Sequence, residues 1–274
     1  MRGNRQYARV FGISALILTA VFICFAFAEA VWPKADGKKK KQEGVMYLDY
    51  SHAEDGYMMV KTVKKTTKRL KLRVKFGDNT MTYDLDNSGN FEVFPLQYGS
   101  GTYKVTLYKQ VNGNKYSEDG VASFKAELKR EDASFLCPNQ YVNYSEDSPA
   151  VKKSFEICEG MSGEKEKFDA ICKYIKTNGF IYDYIKSVQV KSGTLPDIDG
   201  CFKTKRGICQ DLSAMAVAMM RVQGIPAKLM VGYADNNYHA WVQVTIDGKD
   251  ILYDPTAELN AISKVTAYTV ERFY

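Results

Sequence analysis

The sequence predicts an α+β protein in which a small all-β sandwich domain precedes a domain of helices and then strands. Three observations carry this. From residue 45 to about 131, apolar side chains recur at every second position; in RLKLRVKF (69–76), Leu70, Leu72, Val74 and Phe76 share one face. Beyond 131 the spacing lengthens to three and four, as in EKEKFDAICKYIKTN (164–178), where Phe168, Ile171, Cys172 and Ile175 line up on a helix. The stretches AKLMVGY (227–233), HAWVQVTI (239–246) and KDILYDPT (249–256) then return to strand character.

Taken in order, the chain opens with Arg2, Arg5 and Arg9 ahead of an apolar run from Val10 to Ala28, followed by the small-x-small triplet AEA (28–30). This marks residues 1–30 as a signal peptide or a membrane anchor. The run is long for the first and near the lower limit for the second, so both stay open. Either way the remainder is expected outside the cytoplasm, secreted or held at the cell surface. The KKKK run at 38–41 pulls against that orientation. Cys24 lies inside the apolar run and reads as bilayer filler.

Residues 31–44 (VWPKADGKKKKQEG) read as a charged linker. The sandwich follows over 45–131, with about seven short strands: YLDY, YMMVKTV, RLKLRVKF, TMTYDL, FEVFPL, YKVTLYKQV and VASFKAEL. Turns at GDN, NSGN and YGSG separate several of them. His52 sits in an early turn with no metal-ligand partner beside it and reads as a surface residue. After the helix at 164–178 comes FIYDYIKSV, then a loop, KSGTLPDIDG (191–200). In KRGICQDLSAMAVAMMRVQGIP (205–226), Leu212, Met215, Ala216, Met219 and Val222 form a core stripe, and Gly224 and Pro226 end the helix.

Composition bounds the function. With 45% hydrophobic and 26% charged residues, the 274-residue chain can build a real core. The net charge of +6 suits a solvated Lys-rich face or an anionic surface such as a membrane or cell wall. No basic run interleaved with aromatics suggests a nucleic-acid groove. Six cysteines occur; without Cys24 they are Cys137, Cys158, Cys172, Cys201 and Cys209, an odd set that leaves at least one unpaired in a monomer. One or two disulfides fit an exported protein, but their pairing is open. There is no C-x-x-C pair and there are only two histidines, so no structural zinc site is expected, and no organic cofactor is implied.

Cys209 stands at the first turn of its helix. There, unpaired N–H groups and the positive end of the dipole favour a thiolate and can face an oxyanion. His239 is the single histidine of the second half. The Asp247-Gly248 dipeptide signals a tight hairpin between HAWVQVTI and KDILYDPT. Centred there, Ile246 faces Lys249, Asp254 faces Trp241 and Thr256 faces His239. Asp254 is then a diagonal neighbour of His239, roughly 7–8 Å away between backbones. A nucleophile, a base and an orienting carboxylate are thus all available. From composition and register alone, Cys209 reads equally well as core, His239 as an exposed strand residue and Asp254 as a turn former.

The segments LPDID (195–199), GICQDLSAMAVAMMRVQGIPAKLMVGY (207–233), HAWVQV (239–244) and YDPT (253–256) resemble the transglutaminase-like domain of the papain-like cysteine protease superfamily, in its bacterial exported branch. The resemblance covers about residues 135–270. It implies a helix carrying the nucleophile packed on an antiparallel sheet carrying His and Asp, and maps a catalytic triad onto Cys209, His239 and Asp254. The activities it implies are acyl transfers at amide or glutaminyl carbonyls of a peptide or protein substrate: hydrolysis, deamidation or cross-linking. Members that have lost catalysis usually lack a triad residue, and none is lacking here. A non-catalytic surface binding or scaffold module is the alternative. The resemblance also implies a side-chain oxyanion donor upstream of the nucleophile, for which Tyr182 is the candidate. Asp211 is expected at the helix N-terminus, and Trp241 as cleft wall or core.

Overall fold

Strict alternation builds the first half, as expected. The strands are β1 (Lys40–Glu43), β2 (Met46–Asp49), β3 (Tyr57–Thr62), β4 (Leu70–Phe76), β5 (Asn79–Leu85), β6 (Glu92–Pro95), β7 (Gly101–Asn112) and β8 (Lys115–Ala126). They form two four-stranded antiparallel sheets, ordered β1-β2-β3-β6 and β5-β4-β7-β8. Leu48, Met58 and Val60 of one sheet meet Leu72, Val74 and Leu107 of the other in a common core. The computed structural model describes residues 30–260 and 265–274. The expected signal or anchor segment, with Cys24, therefore lies outside the described residues except for Ala30. Among the described residues, no helix is long and apolar enough to cross a membrane.

The segment expected to be a linker is ordered instead. Trp32 packs edge-on to Tyr144 at 6.3 Å, and the Gly37 N–H donates to the Asp49 carboxylate at 2.6 Å. Lys40–Glu43 pairs with β2 as an eighth strand. A run of lysines hid this strand because it lies at a sheet edge, where its side chains meet water and its backbone supplies the bonding; lysine is a usual edge residue.

The second half contains α1 (Pro149–Ile157), α2 (Glu164–Thr177), β9 (Ile181–Tyr182), α3 (Tyr184–Gln189), α4 (Ile198–Thr204), β10 (Arg206–Gly207), α5 (Cys209–Arg221), β11 (Ala227–Ala234), β12 (Asn237–Ile246), β13 (Lys249–Tyr253), α6 (Pro255–Asn260) and β14 (Tyr268–Phe273). Helix α5 is central. Residues Asp211 to Arg221 are all buried, because α1, α2, α4 and α6 pack around it and β11 and β12 lie against it. Its expected stripe, Leu212, Met215, Ala216, Met219 and Val222, is buried in this core.

The sheet beneath it is antiparallel, ordered β13-β12-β11-β14. Asp247 and Gly248 both take positive φ, 51° and 70°, as a two-residue hairpin turn with the strands' own twist requires. The expected register holds from Ile246 opposite Lys249 to Val242 opposite Tyr253. It then stops. Pro255 cannot donate to the ladder and instead starts α6, so Thr256 does not face His239 and YDPT is not strand throughout. At the other edge, β14 approaches Gly232 so closely that a Cβ there would lie 2.0 Å from the Thr269 carbonyl oxygen. Glycine permits that contact, and the pairing shifts register at this point.

Candidate active site

The start of α5 is held by buried charge. Asp211, at the third helical position, accepts from the Ile208 N–H at 3.0 Å, the Asp197 N–H at 2.9 Å and Lys186 Nζ at 2.7 Å. Its carboxylate thus caps the helix and ties the LPDID loop and α3 to the turn that carries Cys209. Gly207 precedes that turn, where a Cβ would meet Cys201 Sγ at 2.6 Å. Only glycine fits the approach. Asp211 thus sits at the helix N-terminus as expected.

Cys209 is the first residue of α5 and is half-buried. His239, on β12, hydrogen-bonds through Nε2 to Asp254 Oδ2 at 2.8 Å. Its Nδ1 is left as the nitrogen that can serve the thiol. Burial works against charge on His239, but Asp254 and the neighbouring Cys209 outweigh it and raise its pKa to about 9. Asp254 sits just past the end of β13. Its Oδ1 accepts the N–H groups of Thr256 and Ala257, both at 3.0 Å, which also caps α6. Burial would raise its pKa, but the His239, Ala257 and Tyr268 donors pull it below the usual 3.8. The three residues named from the sequence thus come together, with Asp254 reaching His239 from a helix cap rather than from a strand.

Tyr268 was not legible from the sequence. Its hydroxyl donates to Asp254 Oδ2 at 2.9 Å, so the oxygen that orients His239 is itself held. Nothing in "VTAYTVERF" marks it out; it arrives because β14 folds back onto β11. Trp241 is 2% exposed and lies between His239 and Tyr268, with ring centroids at 6.4 and 4.8 Å. It is core beneath the histidine, not an open cleft wall. Tyr182 pairs with Gly207 across β9 and β10. Burial raises its pKa, and the charge of Cys209 adds to this. His52 lies far along the chain in the sandwich, bridging Asp36 at 2.8 Å and Asp55 at 3.0 Å. It is more engaged than a bare surface residue. All five described cysteines are free.

A helix bearing a cysteine at its N-terminus, packed on an antiparallel sheet that brings up His and Asp, is the architecture of a transglutaminase-like fold. The Transglutaminase-like superfamily model matches residues 152–255, and this part of the chain is a transglutaminase-like domain. The chain is 24% identical to the uncharacterized protein YebA of Bacillus subtilis (strain 168) over 195 residues, covering 63% of this chain and 24% of that protein. It therefore spans about a quarter of the relative it matches. Among solved structures, a proposed cysteine protease of Cytophaga hutchinsonii aligns at 20% identity and TM-score 0.40, covering 76% of this chain and 75% of that one. The periplasmic domain of TgpA from Pseudomonas aeruginosa aligns at 14% identity and TM-score 0.38, covering 84% and 77%. Red sea bream transglutaminase aligns at 12% identity and TM-score 0.29, covering 78% and 48%.

The raised His239 pKa has a stability consequence. The imidazolium–carboxylate pair contributes fully below the ordinary histidine pKa of 6.5 and is lost as pH rises through about 9. At the acid end, the contribution of Asp254 holds above 3.8 and fades as pH falls through its lower folded value. The melting temperature of the wild type is therefore expected to exceed that of His239→Gln by most between about pH 4 and 6.5, and the gap to close by pH 9.5. A gap that stays constant from pH 6 to 9.5 would contradict the pairing.

Proposed function

We propose that this chain is an exported bacterial thiol enzyme that transfers acyl groups from peptide or protein amides through Cys209, His239 and Asp254. The observation that carries the reading is the half-buried Cys209 at the first position of α5, beside a histidine whose other nitrogen is bonded to a buried aspartate. In the proposed cycle, Cys209 Sγ attacks the amide carbonyl as a thiolate while His239 holds the proton. The tetrahedral oxyanion lies at the N-terminus of α5, where backbone N–H groups are free of intrahelical partners. Tyr182 is the side chain placed to assist it. Collapse expels the amine, which takes its proton from His239. Water, activated by the now neutral imidazole, then releases the acid and regenerates the thiol. Asp254 fixes the ring and stabilises its cation.

Hydrolysis is favoured over cross-linking because the sequence shows no dedicated amine-acceptor site. Export rests on Arg2, Arg5, Arg9, the apolar run and the AEA triplet. The division into a sandwich over 45–131 and a reacting domain over 135–270 belongs to the same proposal, with the sandwich as spacer or binding module.

The test is turnover of cell-wall peptides and of a generic protein substrate by the wild type and by Cys209→Ala. Release of amine or new carboxyl groups by the wild type, and a loss of at least a hundredfold in the variant, is expected. Equal partner binding by both proteins with turnover by neither would instead identify a non-catalytic module.

A further inference from the structure

Away from Cys209, a groove of about 830 Å³ opens between the sandwich and the transglutaminase-like domain. Five carboxylates line it, those of Asp84, Asp86, Glu92, Glu146 and Asp147, and no Lys, Arg or His does so among the described residues. That is unexpected in a chain with net charge +6. Asp84 and Asp147 are matched outside the groove by Lys71 and Lys152, at 2.6 and 2.9 Å. Asp86, Glu92 and Glu146 make no ion pair among the described residues. Glu92 is also half-buried and accepts the Asp86 N–H at 2.6 Å; burial above all, with the Asp86 and Asp84 charges, outweighs that bond and pushes its carboxyl up to about 7. A desolvated acid flanked by acids is short of a cation.

A second, independent feature is Asn139, which is 3% exposed and belongs to the groove wall. Its Oδ1 accepts from the N–H groups of Tyr141 and Val142, at 2.9 and 3.0 Å, which fixes the orientation of the amide. Its Nδ2 is buried and has no acceptor. A buried donor without an acceptor is costly, and a peptide carbonyl would supply one. Phe91, Trp32 and Leu195 add apolar surface beside these polar groups. Leu195 belongs to the loop that Asp197 and Thr194 anchor to the first turn of α5, through Asp211 and Gln210.

We propose that this groove is a docking site for an extended peptide segment rich in lysine or arginine. Its basic side chains meet Asp86, Glu92 and Glu146, and a backbone carbonyl meets Asn139. The site does not depend on acyl transfer at Cys209, so the two readings can fail separately.

The test is fluorescence anisotropy of a labelled octalysine peptide titrated with the full chain. Binding to the wild type is expected, with at least tenfold loss in the Asp86→Asn, Glu92→Gln, Glu146→Gln triple variant. Cys209→Ala should bind like the wild type. A control triple, Asp78→Asn, Glu127→Gln, Asp169→Asn, removes three exposed carboxylates elsewhere and should also bind like the wild type. Thermal melts matching the wild type would show both triples folded. Absence of binding to the wild type, equal binding by the groove triple, or equal weakening by the control triple would each overturn the proposal. A labelled octaglutamate peptide that binds as tightly as octalysine would do the same.

Discussion

Replacing His239 with alanine is expected to slow the labelling of Cys209 by an electrophilic thiol probe by roughly 10²–10⁴-fold at pH 7, the range that a positioned proton acceptor contributes. The substitution leaves the helix N-terminus and its Asp211 cap intact, so the change isolates the histidine. Selectivity in this experiment comes from the other thiols. Burial raises the pKa of Cys137 and Cys201 to about 12 and pushes that of Cys158 and Cys172 upward as well. Such thiols are poor nucleophiles at neutral pH. Peptide mapping of the wild type is therefore expected to place the label on Cys209 and on no other described cysteine. Asp254→Asn should have a smaller effect, because the ring stays in place but its cation loses its partner. Tyr268→Phe should have the smallest, since Asp254 keeps the Thr256 and Ala257 N–H groups and His239. Equal labelling rates for the wild type and His239→Ala would remove the base from the proposed mechanism.

The arrangement of Cys209, His239 and Asp254 was legible because local signals define it. The Asp247-Gly248 turn sets the register of β12 and β13, and register decides which side chains share a face. Cys209 is marked by a helix start whose pattern spans only a dozen residues. What escaped depends on contacts far apart in sequence. Pro255 converts the end of a strand into a helix start, so Asp254 works from a cap. Tyr268 reaches Asp254 only after β14 joins the opposite edge of the sheet. β1 escaped for a different reason: an edge strand needs no apolar face, so its lysines carried no period-two signal. The acidic groove is assembled from pieces of chain between Trp32 and Leu195, and no local pattern joins them.

Arg221 is the strongest case of such a long-range role, and Arg221→Met is expected to cost about 3–5 kcal/mol of stability. In the sequence it is merely a cation in the last turn of α5, where the dipole favours positive charge. In the structure it is fully buried, and no Asp or Glu among the described residues pairs with it. Nε donates to the Ala227 carbonyl at 2.9 Å, Nη1 to Cys137 at 2.5 Å and Nη2 to Tyr274 at 2.9 Å. Burial lowers its pKa, but only to about 10, so it stays charged at neutral pH. One guanidinium thus joins the end of α5 to the start of β11, to the segment leaving the sandwich and to the residue that follows β14. Methionine fills similar volume but donates nothing. It would strand the buried carbonyl oxygens of Ala227 and Cys137, each worth about 1–3 kcal/mol if left unpaired, while the Tyr274 oxygen keeps the Leu229 N–H at 3.0 Å. Replacing a whole buried ionic group by apolar residues can be neutral, but only when its partners are replaced too, and backbone carbonyls cannot be. Against the 5–15 kcal/mol typical of a domain, this is a large share. A fall in melting temperature of roughly 10 °C is expected at about 3 °C per kcal/mol. Arg221→Lys should fall between the two, since a single ammonium cannot span three diverging acceptors. An Arg221→Met protein that melts within 2 °C of the wild type, an interval worth only about 0.5–1 kcal/mol, would show that these carbonyls find other donors. The staple would then be dispensable.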